Sequence, residues 1–276
     1  MQNFWGIYLL SLIACTQLFG QVAVEAPIKL APPCALSGDR PTKTHAVIVG
    51  ISQYRYGGIY LNDLSTPTKD ASEFDRFLLT ESTHGNQTGW VDLLTDEQAT
   101  EGNIIHSLET MNKQTEPDDV AIFFFSGHGT PQGLTHYETD ASDIMEYEGL
   151  KSLLHASPAK QVIVILDACH AGSSTNAHYM GQVSDLLGGD SNQRMCFISS
   201  SAAEESSLEY EAEGMGYFAY YFIRALRGES DPNHDGCITL REAFDTAKLN
   251  VQLGTIWAQN PTLTGDVPKN FVLWAH

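Results

Sequence analysis

Five consecutive residues, Val162, Ile163, Val164, Ile165 and Leu166, are β-branched or leucine and leave no polar face. A strand of that kind must be covered on both sides, as in the parallel sheets of α/β proteins. The residues that follow differ in character. Asp167, Ala168, Cys169, His170, Ala171 and Gly172 place an acid, a thiol and an imidazole where the apolar run stops. Open α/β sheets carry ligands and chemistry at the carboxyl ends of their strands. Taken alone, the stretch has two readings: a reactive cysteine, or a structural cysteine among capping neighbours.

The arrangement recurs upstream. His45 to Ile51 and Val120 to Phe125 are also buried-strand runs, and the second ends in Ser126, Gly127, His128, Gly129. Trp90 to Leu94, Met195 to Ser199 and Asn270 to Trp274 read as further strands. Helical spacing fills the gaps. Pro67 suits a first turn, Asp70 would lie in that turn, and Ala71, Phe74, Phe77 and Leu78 form the apolar stripe. Thr100 can cap a helix carrying Ile104, Ile105, Leu108 and Met111. Tyr147 to His155, Tyr217 to Leu226 and Glu242 to Val251 read as helices, while 130–147 and the long polar segment 173–193 read as loops. This alternation predicts an α/β protein built on a doubly wound sheet.

Fifteen basic against 34 acidic residues give a net charge of −19, which excludes nucleic-acid binding through phosphates and would attract basic peptide segments. Residues 1–24 carry no charge, and 1–20 read as a signal peptide. Leu12 to Cys15 resembles a lipobox, which would make a lipid on Cys15 the one membrane attachment; cleavage near Gly20 without lipid is the competing reading. Either way the protein is expected to be exported, secreted or in the periplasm or cell envelope. Residues 21–42 read as a linker and 43–276 as the folded domain. Cysteines 34, 169, 196 and 237 show no close spacing, so the pattern indicates neither a disulfide framework nor a cysteine zinc site.

Adjacent parallel strands would bring Ser126–Gly129 and Asp167–Gly172 to one edge. A free thiol, with pKa about 8.5, needs a neighbouring base to act as a nucleophile, and His128 is the candidate. The amides of Gly129 and Cys169 are positioned to face a developing oxyanion.

These two motifs, in this order, resemble those of the caspase and metacaspase superfamily of cysteine peptidases, closest to the bacterial caspase-like proteins. The similarity runs from about His45 to the C-terminus and includes Gly216 to Gly228 and Gln259, Asn260, Pro261. It implies a three-layer caspase-like fold, with a central mostly parallel sheet of about six strands and helices on both faces. It also implies a cysteine endopeptidase with Cys169 as nucleophile, His128 as general base and acid, and no cofactor required for the chemistry. Asp70, Ser126 and Asp167 match the acidic S1 pocket of metacaspases, so the expected substrate is a peptide or protein with Arg or Lys at P1. The metacaspase calcium site is not carried over, because Asp140, Asp143, Glu146 and Glu148 do not reproduce its pattern.

A separate calcium pattern is present. Asp231, Asn233, Asp235, Gly236, Cys237, Ile238, Thr239 and Glu242 fit positions 1, 3, 5, 6, 7, 8, 9 and 12 of an EF-hand loop, with helices expected on both sides. The metal ligands would be Asp231, Asn233, Asp235, Cys237 and Glu242. The alternative is an acidic turn that caps the next helix. Two functional alternatives also stand beside the peptidase: a catalytically silent caspase-fold scaffold and a calcium-responsive interaction protein. Arg194 is a candidate self-cleavage point, or simply an exposed arginine. The sequence leaves the oligomeric state open.

Overall fold

The computed structural model describes residues 34, 43–80, 87–130, 132–140, 143–170, 194–202, 205–267 and 271–275, and the side chains of all but 169, 170, 194 and 273–275 among them. The leader, the lipobox at Cys15 and the segment 173–193 lie outside the described residues.

The three apolar runs form the centre of one sheet. Its strands are β1 (Lys43–Gly50), β2 (Gln87–Thr95), β3 (Val120–Gly129), β6 (Gln161–His170), β7 (Arg194–Ser199) and β11 (Thr262–Gly265), in the order β11-β7-β6-β3-β1-β2. All neighbouring pairs are parallel except β11 on β7. The short strands β4 (Gly133–Leu134) and β5 (Met145–Glu146) extend from the end of β3, within the stretch expected to be a loop.

Side-chain alternation explains why the runs are apolar throughout. Ile48, Ile122, Phe124, Ile163 and Ile165 face one layer, made of α1 (Pro67–Thr80), α4 (Tyr217–Arg224) and α5 (Leu240–Gly254). Val47, Val49, Phe123, Phe125, Val164 and Leu166 face the other, made of α2 (Glu101–Gln114) and α3 (Tyr147–His155). Fully burying one such side chain contributes about 1.5–3 kcal/mol. The result is the expected three-layer α/β architecture. Thr100 caps α2, its side chain accepting from the Asn103 amide at 3.2 Å.

Three features depart from expectation. The strand β12 (Val272–Ala275) pairs with β10 (Cys237–Thr239) in a sheet of its own rather than joining the main one. Another small hairpin, β8 (Glu209–Tyr210) with β9 (Met215–Gly216), precedes α4. Cys34 and Cys237 form a disulfide, which the spacing did not indicate because 203 residues separate the two. In the chain-entropy account, closing a loop of that length stabilises the fold by about 5 kcal/mol. Among the described residues no helix is long and apolar enough to cross a membrane.

Candidate active site

The parallel ladder between β3 and β6 pairs Ser126 with Asp167, Gly127 with Ala168, His128 with Cys169, and Gly129 with His170. The two polar motifs are therefore continuations of the buried strands, aligned residue for residue at one edge of the sheet. The Cys169 side chain lies outside the described residues; its backbone stands beside that of His128. The backbone of Gly129, the other oxyanion candidate, is bracketed by His170 and Leu134 at the end of the ladder.

His128 is held from several sides. Its Nε2 lies 2.8 Å from the carbonyl oxygen of Asn62, an acceptor that fixes the proton on Nε2 and leaves Nδ1 with the lone pair. Nδ1 is buried and has no hydrogen-bond partner among the described residues. The peptide of His128 is enclosed as well: its N–H donates to Tyr54 Oη at 2.9 Å, and its carbonyl accepts from Thr135 Oγ1 at 2.8 Å and the Thr135 amide at 3.2 Å. Tyr54 Oη in turn donates to Thr135 Oγ1 across 3.0 Å. Burial pushes the Tyr54 phenol up to about 12, so it remains neutral and able to donate. The Tyr54 ring lies 5.3 Å from the imidazole, centroid to centroid. Sequence reasoning missed both supports. A backbone carbonyl carries no residue signature, and Tyr54 lies in a loop whose pattern gave no role.

A histidine–acid pair lies elsewhere. His45 Nε2 meets Asp119 at 3.1 Å, and its Nδ1 accepts from the Trp90 amide at 2.9 Å. That pair is fully satisfied and sits at the opposite edge of the sheet, where β1 and β3 begin.

The three expected pocket residues come together. Gly50 allows it, because a Cβ there would lie 2.4 Å from the Pro67 carbonyl oxygen and 2.6 Å from Ala71 Cβ. The first turn of α1 therefore approaches the sheet closely and delivers Asp70 to its edge. Asp70 Oδ2 accepts from Ser126 Oγ at 3.0 Å, and its Oδ1 accepts from the Gly216 amide at 2.8 Å. Asp167 accepts from the Ala219 amide at 3.3 Å and from the hydroxyls of Ser200 and Ser207. Gly216 lies over both acids: a Cβ there would be 2.9 Å from Asp167 Oδ2 and 3.1 Å from Asp70 Oδ2. Asp70, Ser126 and Asp167 are all buried.

Burial pushes both carboxyls up, and the charge of Asp167 adds to the effect on Asp70. No Lys or Arg side chain is paired with either acid among the ion pairs of the described residues. Two buried acids held by neutral donors form a site that gains most from an incoming cation. Gly216, Ser200 and Ser207 were not anticipated. Both serines lie beyond the strand expected over Met195 to Ser199, where no periodicity points to a partner.

The EF-hand-like loop folds on itself. Asp231 accepts from the amides of Asp235 and Gly236 at 3.1 and 3.0 Å, and Asp235 accepts from the Cys237 amide at 2.8 Å. Glu242 forms a capping box with Thr239 and accepts from Asn233 Nδ2 at 3.0 Å. The oxygen-rich donor set suits calcium, and Cys237 would contribute its carbonyl, so its disulfide does not conflict with that role. As folded, Glu242 is occupied by the cap, and Asp231, Asp235 and Glu242 are not gathered around one point.

The sequence profile of the caspase domain (peptidase family C14) matches residues 43–272. Metacaspase-1 of Lodderomyces elongisporus is 30% identical over 168 residues, 51% of this chain and 36% of that protein. Metacaspase-1 of Candida albicans is 28% identical over the same length and shares. The match thus spans about a third of the curated relatives. In structure, protein GSU0716 from Geobacter sulfurreducens superimposes with a TM-score of 0.57, covering 82% of this chain and 95% of that one at 16% identity, a likeness of fold alone. With the caspase profile running through the paired motifs and almost the whole described domain, the chain belongs to the caspase-domain family of cysteine peptidases.

Proposed function

We propose that the protein is a cysteine endopeptidase that cleaves after Arg or Lys. The observation that carries this reading is the pair of buried carboxylates: Asp167 lies two ladder steps before Cys169, and Asp70 accepts a hydrogen bond from Ser126, the ladder partner of Asp167. In the proposed reaction the Cys169 thiol passes its proton to His128 Nδ1, and the thiolate adds to the scissile carbonyl. The new oxyanion faces the amides of Gly129 and Cys169. Collapse breaks the C–N bond as the Nδ1 proton moves to the leaving amine. Water, deprotonated by Nδ1, then releases the acyl group and restores the thiol. A fluorogenic peptide panel tests the specificity: cleavage with Arg or Lys at P1 is expected, and cleavage confined to Asp would overturn it. No cleavage of any peptide, with or without calcium, would favour the silent scaffold.

Two further assignments accompany this function. Calcium binding by Asp231, Asn233, Asp235, the Cys237 carbonyl and Glu242 is supported by the oxygen donor set. Calorimetric titration is expected to show a calcium heat that Glu242→Gln removes; an unchanged heat would exclude the site. Export is supported by the Cys34–Cys237 bond, since such bonds persist in oxidising compartments. The uncharged leader, with or without a lipid on Cys15, would direct it.

A further inference from the structure

The loop between β4 and β5 carries a buried group to which no described residue offers a hydrogen bond. His136 is 1% exposed, and neither ring nitrogen has a hydrogen-bond partner among the described residues. Buried imidazoles are normally paired, because each ring nitrogen presents either a proton or a lone pair. The residue is nevertheless held firmly. Its amide donates to Thr139 Oγ1 at 2.7 Å, its carbonyl accepts from the Thr139 amide at 2.9 Å, and the next amide, of Tyr137, donates to the Ala99 carbonyl at 2.9 Å. This anchorage delivers the ring to the start of α2, where Glu101 is the first residue.

Asp143 joins these two residues. One ligand atom from each of Glu101, His136 and Asp143 lies within 4.8 Å of the other two. His136 Nε2 is 3.7 Å from Asp143 Oδ2, too far for a hydrogen bond. That spacing is close to the separation of about 3.3 Å that two ligands at about 2.05 Å impose in a tetrahedron. A ring nitrogen with two carboxylate oxygens is a donor set for borderline transition ions, whereas calcium and magnesium take oxygen throughout. Three protein ligands with a fourth position open to water complete such a site.

We propose that Glu101, His136 and Asp143 bind a divalent transition ion of the zinc class. The ion fastens the loop between β4 and β5 to the first turn of α2. Thr135, which holds the His128 carbonyl and Tyr54, immediately precedes His136 in that loop. The site is independent of the EF-hand-like loop and does not rest on the peptidase reading.

The test uses the tag-free full chain carrying Cys169→Ala, which removes the thiol that zinc could otherwise engage beside His128. Calorimetric titration with zinc is expected to give one site per chain, lost on Asp143→Asn or Glu101→Gln. Asp143 is 59% exposed, so folding does not depend on it. Zinc at a hundredfold excess over Kd is expected to raise Tm by roughly 5–10 °C, and the same substitutions remove the shift. Zinc binding that is absent, or equal in parent and variants, overturns the proposal. So does binding of calcium in preference to zinc at these residues.

Discussion

Replacing Cys169 by alanine is expected to lower kcat by about a millionfold on an Arg-P1 substrate, the size of effect seen when a covalent nucleophile is removed. The fold should be unchanged, and identical melting curves for parent and variant would confirm that. His128→Ala is expected to cost about 10^2- to 10^4-fold, the share that a positioned base contributes. An arginine-bearing acyloxymethyl ketone separates the roles further. It should label the parent and not Cys169→Ala. Cys196 cannot substitute for Cys169, because it is buried and burial pushes its thiol up to about 12. Activity that survives Cys169→Ala would end the assignment of Cys169 as the nucleophile.

The second large effect concerns Asp167. Asp167→Asn keeps the shape and removes one charge, and is expected to lower kcat/KM for Arg-P1 substrates by about 30- to 1,000-fold, as truncation of one partner of a buried charge pair does. Stability should move in the opposite direction. Burial raises both carboxyls in the folded state. Their contribution to stability is therefore fully present below the unfolded carboxylate pKa of about 3.9 and is lost as pH rises through the raised folded values. At neutral pH the asparagine variant should melt no lower than the parent. A bound guanidinium favours the ionised acids, so binding of a small arginine analogue should release protons and tighten as pH rises through the same window. Calorimetry in buffers of different ionisation heat measures that release. Affinity independent of pH, or higher in acid, would contradict a pocket built from these two groups.

Much of the architecture was legible because burial on both faces leaves an unambiguous mark. Phe123, Phe124 and Phe125 admit no solvent-facing side, so β3 and the covering layers follow from three letters. The polar motifs were legible for the converse reason, as interruptions of those runs. What escaped notice depends on contacts between distant segments or on backbone atoms. Thr262–Gly265 is a short, partly exposed edge strand with no apolar period, and only its pairing with β7 identifies it. The Asn62 carbonyl orients His128 whatever side chain residue 62 carries. Gly216 matters through the side chain it lacks, a property visible only once Asp70 and Asp167 are seen beneath it. His136 was one of several scattered histidines until the loop geometry set it against Glu101 and Asp143.

The bond between Cys34 and Cys237 changes what internal proteolysis can accomplish. The two cysteines lie on either side of Arg194, so a single cut there adds a pair of chain ends without creating a second molecule. The larger and smaller fragments remain one covalent body, and the segment before β1 stays attached to the piece carrying α5. On a gel without reductant the cut protein would migrate as one species of full mass, and with reductant as two. Maturation by cleavage would therefore leave the apparent size unchanged under oxidising conditions, and dissociation of the fragments would require a reductant as well as a protease.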